Sequence, residues 1–241
     1  GEFYALPQSP QIFKQLLMVA GFERYYQIAK CFRDEDLRSD RQPEFTQIDI
    51  ETSFLSQEDI LDVSERMIKH VMKKVKGIDL TEPFPIMTYK HAMETYGVDK
   101  PDTRFDMTLK NITDLANETT FGVFTDVITQ GGIVKGITVK GGASLYSRKG
   151  IDKLTEFVKK LRAKGLAFVK YQNNELSGSI VKFFTEDQQA ELIQLAELEH
   201  DDLFLIVSDK PSVVHQSLGL LRNHLAKELQ LTKNDDYDFL W

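Results

Sequence analysis

Residues 32 to 49, FRDEDLRSDRQPEFTQID, constrain the fold more than any other part of the chain, because they are the inner ends of two strand-like runs joined by a charged loop. In a strand, successive side chains point to opposite faces. On the incoming run, Arg24 to Phe32, this sends Tyr26, Ile28 and Phe32 one way and Gln27, Ala29, Cys31 and Arg33 the other. On the outgoing run Ile48 and Ile50 share one face, and Phe45, Gln47, Asp49 and Glu51 share the opposite one. The pattern predicts a hairpin with an apolar core side and a polar working side.

The working side suits activation of a carboxylate by ATP. Arg33 offers a planar fork of donors where negative charge builds up at an α-phosphate. Glu35, two residues on, could accept from the exocyclic amine of a purine. Phe45 supplies a ring face for that purine to stack on, and Asp49 could hold a substrate ammonium. The competing reading is a solvated hairpin loop with one core phenylalanine.

The ordered pattern FRDE, RQPEF, TQID resembles motif 2 of the class II aminoacyl-tRNA synthetases, and the string is similar to that of the bacterial-type aspartyl-tRNA synthetase family. ALPQSPQIFKQLL, residues 5 to 17, resembles that family's aspartate-binding segment. There a strand turns through Pro7 and Pro10 into an amphipathic helix, with Ser9 expected as N-cap and Pro10 at the first helical position. The resemblance implies that Gln11 contacts the amino acid and that Lys14 pairs with its side-chain carboxylate. The two are three residues apart and so neighbours on one helical face; a plain surface lysine is the alternative for Lys14. By the same resemblance Arg33 is the catalytic residue, touching both the α-phosphate and the substrate carboxylate. Asp34, Glu35 and Gln42 would contact ATP, Phe45 would stack on adenine, and Asp49 would bind the aspartate ammonium. Ser9 and Gln47 would line the same pocket. The loop from Asp36 to Arg41 would meet the acceptor end of tRNA, with Arg38 and Arg41 either on phosphates or solvating the loop.

The family's dimer-forming motif 1 and its motif 3, a glycine-rich run ending in an ATP-binding arginine, are not visible, and no GLDR-like string occurs. The chain opens on Gly1 and stops after DDYDFLW. The expectation is an internal fragment of a longer, homodimeric enzyme, inactive by itself. The full enzyme would join L-aspartate and ATP into aspartyl-adenylate and pass the aspartyl group to the aspartate tRNA. Mg²⁺ is expected for that enzyme, with ligands beyond Trp241 and no metal site in this chain.

Downstream, Gln57 to Val75 reads as a helix with Ser56 as N-cap and Gly77 as stop. A short helix follows at about Tyr89 to Tyr96, and punctuation by Gly97 and Pro101 places a boundary near Asp102 to Met107. Phe121 to Thr129 and Ile133 to Lys140 read as a hairpin around Gln130, Gly131 and Gly132. Next come a helix at about Ser147 to Ala163, a strand at Leu166 to Tyr171, a helix at Glu186 to Leu198, a strand at Leu203 to Ser208 and a helix at Ser212 to Leu229. Interleaved helices and strands predict an α+β or α/β module with its own core. By resemblance it is the GAD insertion domain. The overall expectation is an α+β chain, with residues 1–104 forming part of a class II antiparallel-sheet catalytic domain, 105–236 the GAD insertion, and 237–241 the start of the return to the catalytic domain.

Gly131-Gly132 and Gly141-Gly142 lack the Lys-Ser/Thr of a P-loop and read as turns. The five histidines show no metal-ligand spacing. The helix at Ser147 to Ala163 buries Ile151, Leu154, Val158 and Leu161 and leaves a basic face of Arg148, Lys149, Lys153, Lys160 and Arg162. That face is either merely solvated or helps to position tRNA. One cysteine, Cys31, forms no internal disulfide, and no signal peptide or bilayer-length apolar run occurs. These features predict a cytoplasmic protein with neither membrane nor DNA partners. The formal net charge of −7 argues against general nucleic-acid coating but leaves room for a local basic patch. Two other functions fit the sequence: a tRNA- or protein-binding module, and another class II synthetase of asparaginyl or lysyl type.

Overall fold

The structure, a computed structural model, describes residues 7–34, 36 and 41–241. Contacts divide the chain into two units between Pro83 and Phe84, upstream of the boundary that Gly97 and Pro101 suggest.

In the first unit, helix α1 spans Gln11–Val19. Its N-cap is Pro10, at φ −79° and ψ 38° and with no side-chain cap, so Ser9 does not cap the helix as expected. Pro10 has left the helical region, which moves the first helical residue to Gln11. Strands β1 (Arg24–Phe32) and β2 (Glu44–Thr52) then pair antiparallel, with Cys31 opposite Phe45, Ala29 opposite Gln47 and Gln27 opposite Asp49. This register puts Gln27, Ala29 and Cys31 on one face with Phe45, Gln47 and Asp49, as the alternation predicts, while Arg24, Lys30, Glu44, Thr46 and Thr52 share the face of the isoleucines. The apolar face differs from expectation. Tyr26, Ile28, Ile48 and Ile50 are 78, 67, 57 and 41% exposed, so it is not a buried core side. A two-stranded ribbon has too little partner surface to bury both faces, and α1 contacts both strands while Lys14, Ala29 and Cys31 are buried.

Helix α2 (Gln57–Val71) begins with a reciprocal cap between Ser56 and Asp59. A five-residue π-turn, Met72–Lys76, replaces the expected last α-turn, and Gly77 at φ 72° ends it. Leu55, Val63 and Met67 from this segment share a cleft with Tyr26, Ile48 and Ile50 and so partly shelter the apolar face.

The second unit is built on a five-stranded antiparallel sheet of order β3-β4-β7-β5-β6. The strands are β3 (Lys110–Asn111), β4 (Ile133–Val139), β5 (Ala167–Gln172), β6 (Glu175–Ser177) and β7 (Asp202–Asp209). Around them, α3 spans Tyr89–Tyr96, α4 Thr113–Asn117, α5 Gly122–Thr129 and α6 Gly142–Leu145. The later helices are α7 (Arg148–Lys160), α8 (Glu186–Leu195) and α9 (Pro211–Glu228). β7 is the central strand and is buried on both faces, so it reads as a continuous apolar run rather than an alternating one. Leu203, Leu205 and Val207 join Ile137 and Val139 in a core with α7 and α9. Phe204 and Ile206 join Val134 and Val169 in a second core with Leu115, Phe124 and Leu192 from α4, α5 and α8. This is an α+β fold.

Residues 122–129 are a helix, not the first arm of a hairpin. Their β-branched composition favours a strand locally. Packing against β4 and β7 overrides it: Phe124 and Val127, three apart, point inward, while the Thr125 and Thr129 hydroxyls donate to the carbonyls of Gly122 and Thr125.

α3 meets α9 at Gly97 and Gly219. A Cβ on Gly97 would lie 2.3 Å from the His215 carbonyl, and its φ of +74° also suits glycine. Arg222, fully buried, donates to the carbonyls of Met107 at 3.0 Å and Phe105 at 2.8 Å, with its guanidinium 3.9 Å from the Phe105 ring centroid. Residues 84–87 lie alongside the chain's last residues: Met87 N donates to Trp241 O at 2.6 Å and Trp241 N to Pro85 O at 2.9 Å. Phe84 stacks on Phe239 at 5.1 Å. Among the described residues no helix is long and apolar enough to cross a membrane.

Candidate active site on the polar face of the ribbon

The polar face of the β1–β2 ribbon gathers most of the predicted residues. Phe45, Gln47, Asp49 and Glu51 follow one another every second residue on β2, about 6.6 Å apart in an extended strand. Arg33 extends the ladder beyond β1 by donating its backbone N–H to Pro43 O at 2.8 Å. Its guanidinium lies 5.0 Å from the centroid of the Phe45 ring, close enough for a cation–π contact. Arg33 Nε is buried and has no hydrogen-bond partner among the described residues.

At the other end of the face stands Lys14, brought in by α1. That helix packs against both strands, so a lysine that composition would leave in solvent is only 8% exposed. Its ammonium donates to Asp49 Oδ1 at 2.9 Å and lies 3.1 Å from Glu51 Oε2. The Asp49 hydrogen bond raises the Lys14 pKa above the usual lysine value; burial opposes this, and Glu51 adds to the rise. Asp49 Oδ2 is buried and has no partner among the described residues. A buried polar atom left unpaired costs roughly 1–3 kcal/mol. The face therefore presents a donor near Phe45 and an acceptor near Lys14.

Between these ends, Gln47 is half-buried and accepts a hydrogen bond from Cys31 Sγ at 3.1 Å. Ser9 and Gln11 line a cleft with Gln27, Ala29 and Lys30, at the junction of α1 and β1. Gln11 is exposed while Lys14 is buried, so the two predicted helical neighbours differ in environment. Asp34, Arg41 and Gln42 are exposed around the ribbon's turn. Glu35 and Arg38 lie outside the described residues. The residue whose part was missed is Glu51. Its signal was available, since it shares strand parity with Asp49 and is therefore on the same face. No group of three or more His, Cys, Asp or Glu side chains is placed to hold a metal ion among the described residues.

The chain matches the family described as tRNA synthetases class II (D, K and N) over residues 1–241. It is 59% identical over its whole length to an aspartate–tRNA ligase of Macrococcus caseolyticus. It is 59 and 60% identical to aspartate–tRNA(Asp/Asn) ligases of Anoxybacillus flavithermus and Bacillus cytotoxicus. In each case it spans 41% of the relative's length. A match of the family over the entire chain, together with these identities, makes the protein a member of the class II tRNA synthetases of the D, K and N group.

Proposed function

We propose that this chain is the aspartate- and ATP-binding part of an aspartate–tRNA ligase that works in the cytoplasm as a homodimer. The observation that carries the reading is the pair of orphaned buried atoms on one ribbon face, the Arg33 Nε donor and the Asp49 Oδ2 acceptor. An amino acid being activated presents the complementary charges: a carboxylate and phosphate at one end and an ammonium at the other.

In this reading the adenine of ATP stacks on Phe45, with Asp34, Glu35 and Gln42 holding other parts of the nucleotide. Arg33 neutralises the α-phosphate and orients the substrate carboxylate, which attacks phosphorus and releases pyrophosphate. Asp49 takes the ammonium, and Lys14 pairs with the side-chain carboxylate once its present partners make room; Gln11, Ser9 and Gln47 line the pocket. The aspartyl group then passes to the terminal ribose of tRNA, whose acceptor end meets the loop carrying Arg38 and Arg41. No protein nucleophile is required, and the gain comes from positioning and charge stabilisation. Mg²⁺, when bound, would neutralise phosphate charge. No step here depends on it.

We assign residues 105–236 to an inserted GAD domain, with 1–104 and 237–241 belonging to the catalytic domain. Hydrogen bonds from Thr103 Oγ1 to Asp238 Oδ2 at 2.6 Å and from the Arg104 guanidinium to Asp236 O at 3.2 Å support an insertion, because a module inserted into another must bring its two chain crossings side by side. The test of function is ATP–pyrophosphate exchange by the full-length enzyme with each amino acid in turn. Exchange that depends on aspartate is expected, and exchange driven by lysine or asparagine instead would overturn the assignment.

A further inference from the structure

Between Arg148 and Lys164 the chain carries seven basic residues against two acidic ones, although its overall formal charge is −7. Most of them sit on α7, which is held firmly from beneath. Ile151, Leu154 and Val158 are buried in the core shared with α9, and Ser147 Oγ caps the helix by accepting from Gly150 N at 3.3 Å. That burial fixes Lys149, Lys153 and Lys160 on the exposed outer face.

The contrast with α2 is informative. There the cations are matched by acids: Arg66 with Asp62, Lys69 with Glu65 and, past the helix end, Lys73 with Asp79. On α7 both acids are already taken, Asp152 by Arg148 at 3.4 Å and Glu156 by Lys159 at 2.9 Å. Lys149, Lys153 and Lys160 make no ion pair among the described residues. Like charges at i,i+4, as in Lys149 and Lys153, cost a helix roughly 0.2–0.5 kcal/mol. A polyanion lying along the helix relieves that repulsion.

We propose that the outer face of α7 is a docking surface for the phosphate backbone of tRNA. The proposal rests on the functional reading above, which supplies tRNA as the partner; the charge pattern supplies the place. A rise of 1.5 Å per residue sets Lys149 and Lys153 about 6 Å apart along the axis and Lys149 and Lys160 about 16 Å apart. An extended row of that length fits several successive phosphates rather than one small anion. Such contacts fix register and orientation without reading sequence.

The test is direct titration of full-length enzyme with tRNA at several salt concentrations, comparing wild type with the triple variant Lys149→Gln, Lys153→Gln, Lys160→Gln. Glutamine keeps helix propensity and removes charge. The variant should bind tRNA at least tenfold more weakly at low salt. The slope of log affinity against log salt should be shallower by about 2 to 3, since each neutralised phosphate contributes roughly 0.7–0.9. The triple Lys→Arg variant should retain wild-type affinity and slope, and aspartate-dependent pyrophosphate exchange should be unchanged in all three proteins. Unchanged affinity and slope in the glutamine variant overturn the proposal and make the face a solvated one. Failure of the functional reading shows in a different readout, the absence of aspartate-dependent exchange by wild type, while the binding comparison is still read.

Discussion

The two units of this chain differ in how much apolar surface they bury around their polar groups. The second encloses its sheet between two apolar cores, and its central strand is buried from Asp202 to Val207. The first exposes its ribbon's isoleucines and instead shields Lys14, Ala29 and Cys31, beside unpaired polar atoms of Arg33 and Asp49. The second unit sets its buried charges, Arg222, Lys135 and Asp202, inside or beside large apolar cores. The other buries Lys14 against its two carboxylate partners with little apolar core around it and leaves one buried atom each of Arg33 and Asp49 unpaired among the described residues, at a cost to stability.

The comparison can be broken most easily by truncating one residue in each region. Phe204→Ala removes a fully buried ring from the second unit and should cost about 3–5 kcal/mol in denaturant unfolding. Ile48→Ala, at a position 57% exposed, should change stability by no more than about 0.5 kcal/mol in this chain. Comparable losses at the two sites would mean that the ribbon's apolar face is covered.

Next in size is the specificity effect at Lys14. In the proposed role, the Lys14 cation faces the substrate's side-chain carboxylate and separates aspartate from asparagine, whose amide would leave that ammonium poorly paired. In full-length enzyme Lys14→Met should shrink the ratio of kcat/KM between aspartate and asparagine by about 1–3 kcal/mol, the range for hydrogen bonds to charged groups. An unchanged ratio in adenylate-formation kinetics would reduce Lys14 to a structural partner of Asp49 and Glu51.

The smallest effect is a pH dependence confined to the second unit. Burial, helped by the nearby Lys135 ammonium and opposed by Glu94, holds His215 below the ordinary imidazole value of 6.5. Its unfolded form therefore binds protons more readily than the folded one. The contribution to stability is full above that ordinary value and is lost as pH falls from there through the depressed folded value. His215→Gln should flatten unfolding free energy against pH across this window. A profile unchanged by the substitution would show that other groups set the acid limit.

Much of this architecture was legible because it is local. The ribbon's alternation, the Ser56 cap and the Tyr89–Tyr96 helix each follow from a few neighbouring residues. What was illegible depends on partners distant in sequence. Gly122–Thr129 reads as a strand until β4 and β7 supply the surface against which Phe124 and Val127 pack as a helix. Strands β3 and β6, of two and three residues, are too short to carry a period. In the candidate site, residue types pointed to Arg33, Phe45 and Asp49, yet only the packing of α1 on the ribbon shows Lys14 held between Asp49 and Glu51. The exposure of Tyr26 and Ile28 could not be read from alternation, which tells two faces apart without saying which is covered.

The central claim is that one ribbon face activates aspartate, and single-turnover formation of aspartyl-adenylate by full-length enzyme tests it most directly. Arg33→Ala should slow that step by at least ~100-fold, the scale of losing a preorganised donor to developing charge, while the unfolding of the second unit stays as in wild type. Near-normal adenylate formation by Arg33→Ala would contradict the account.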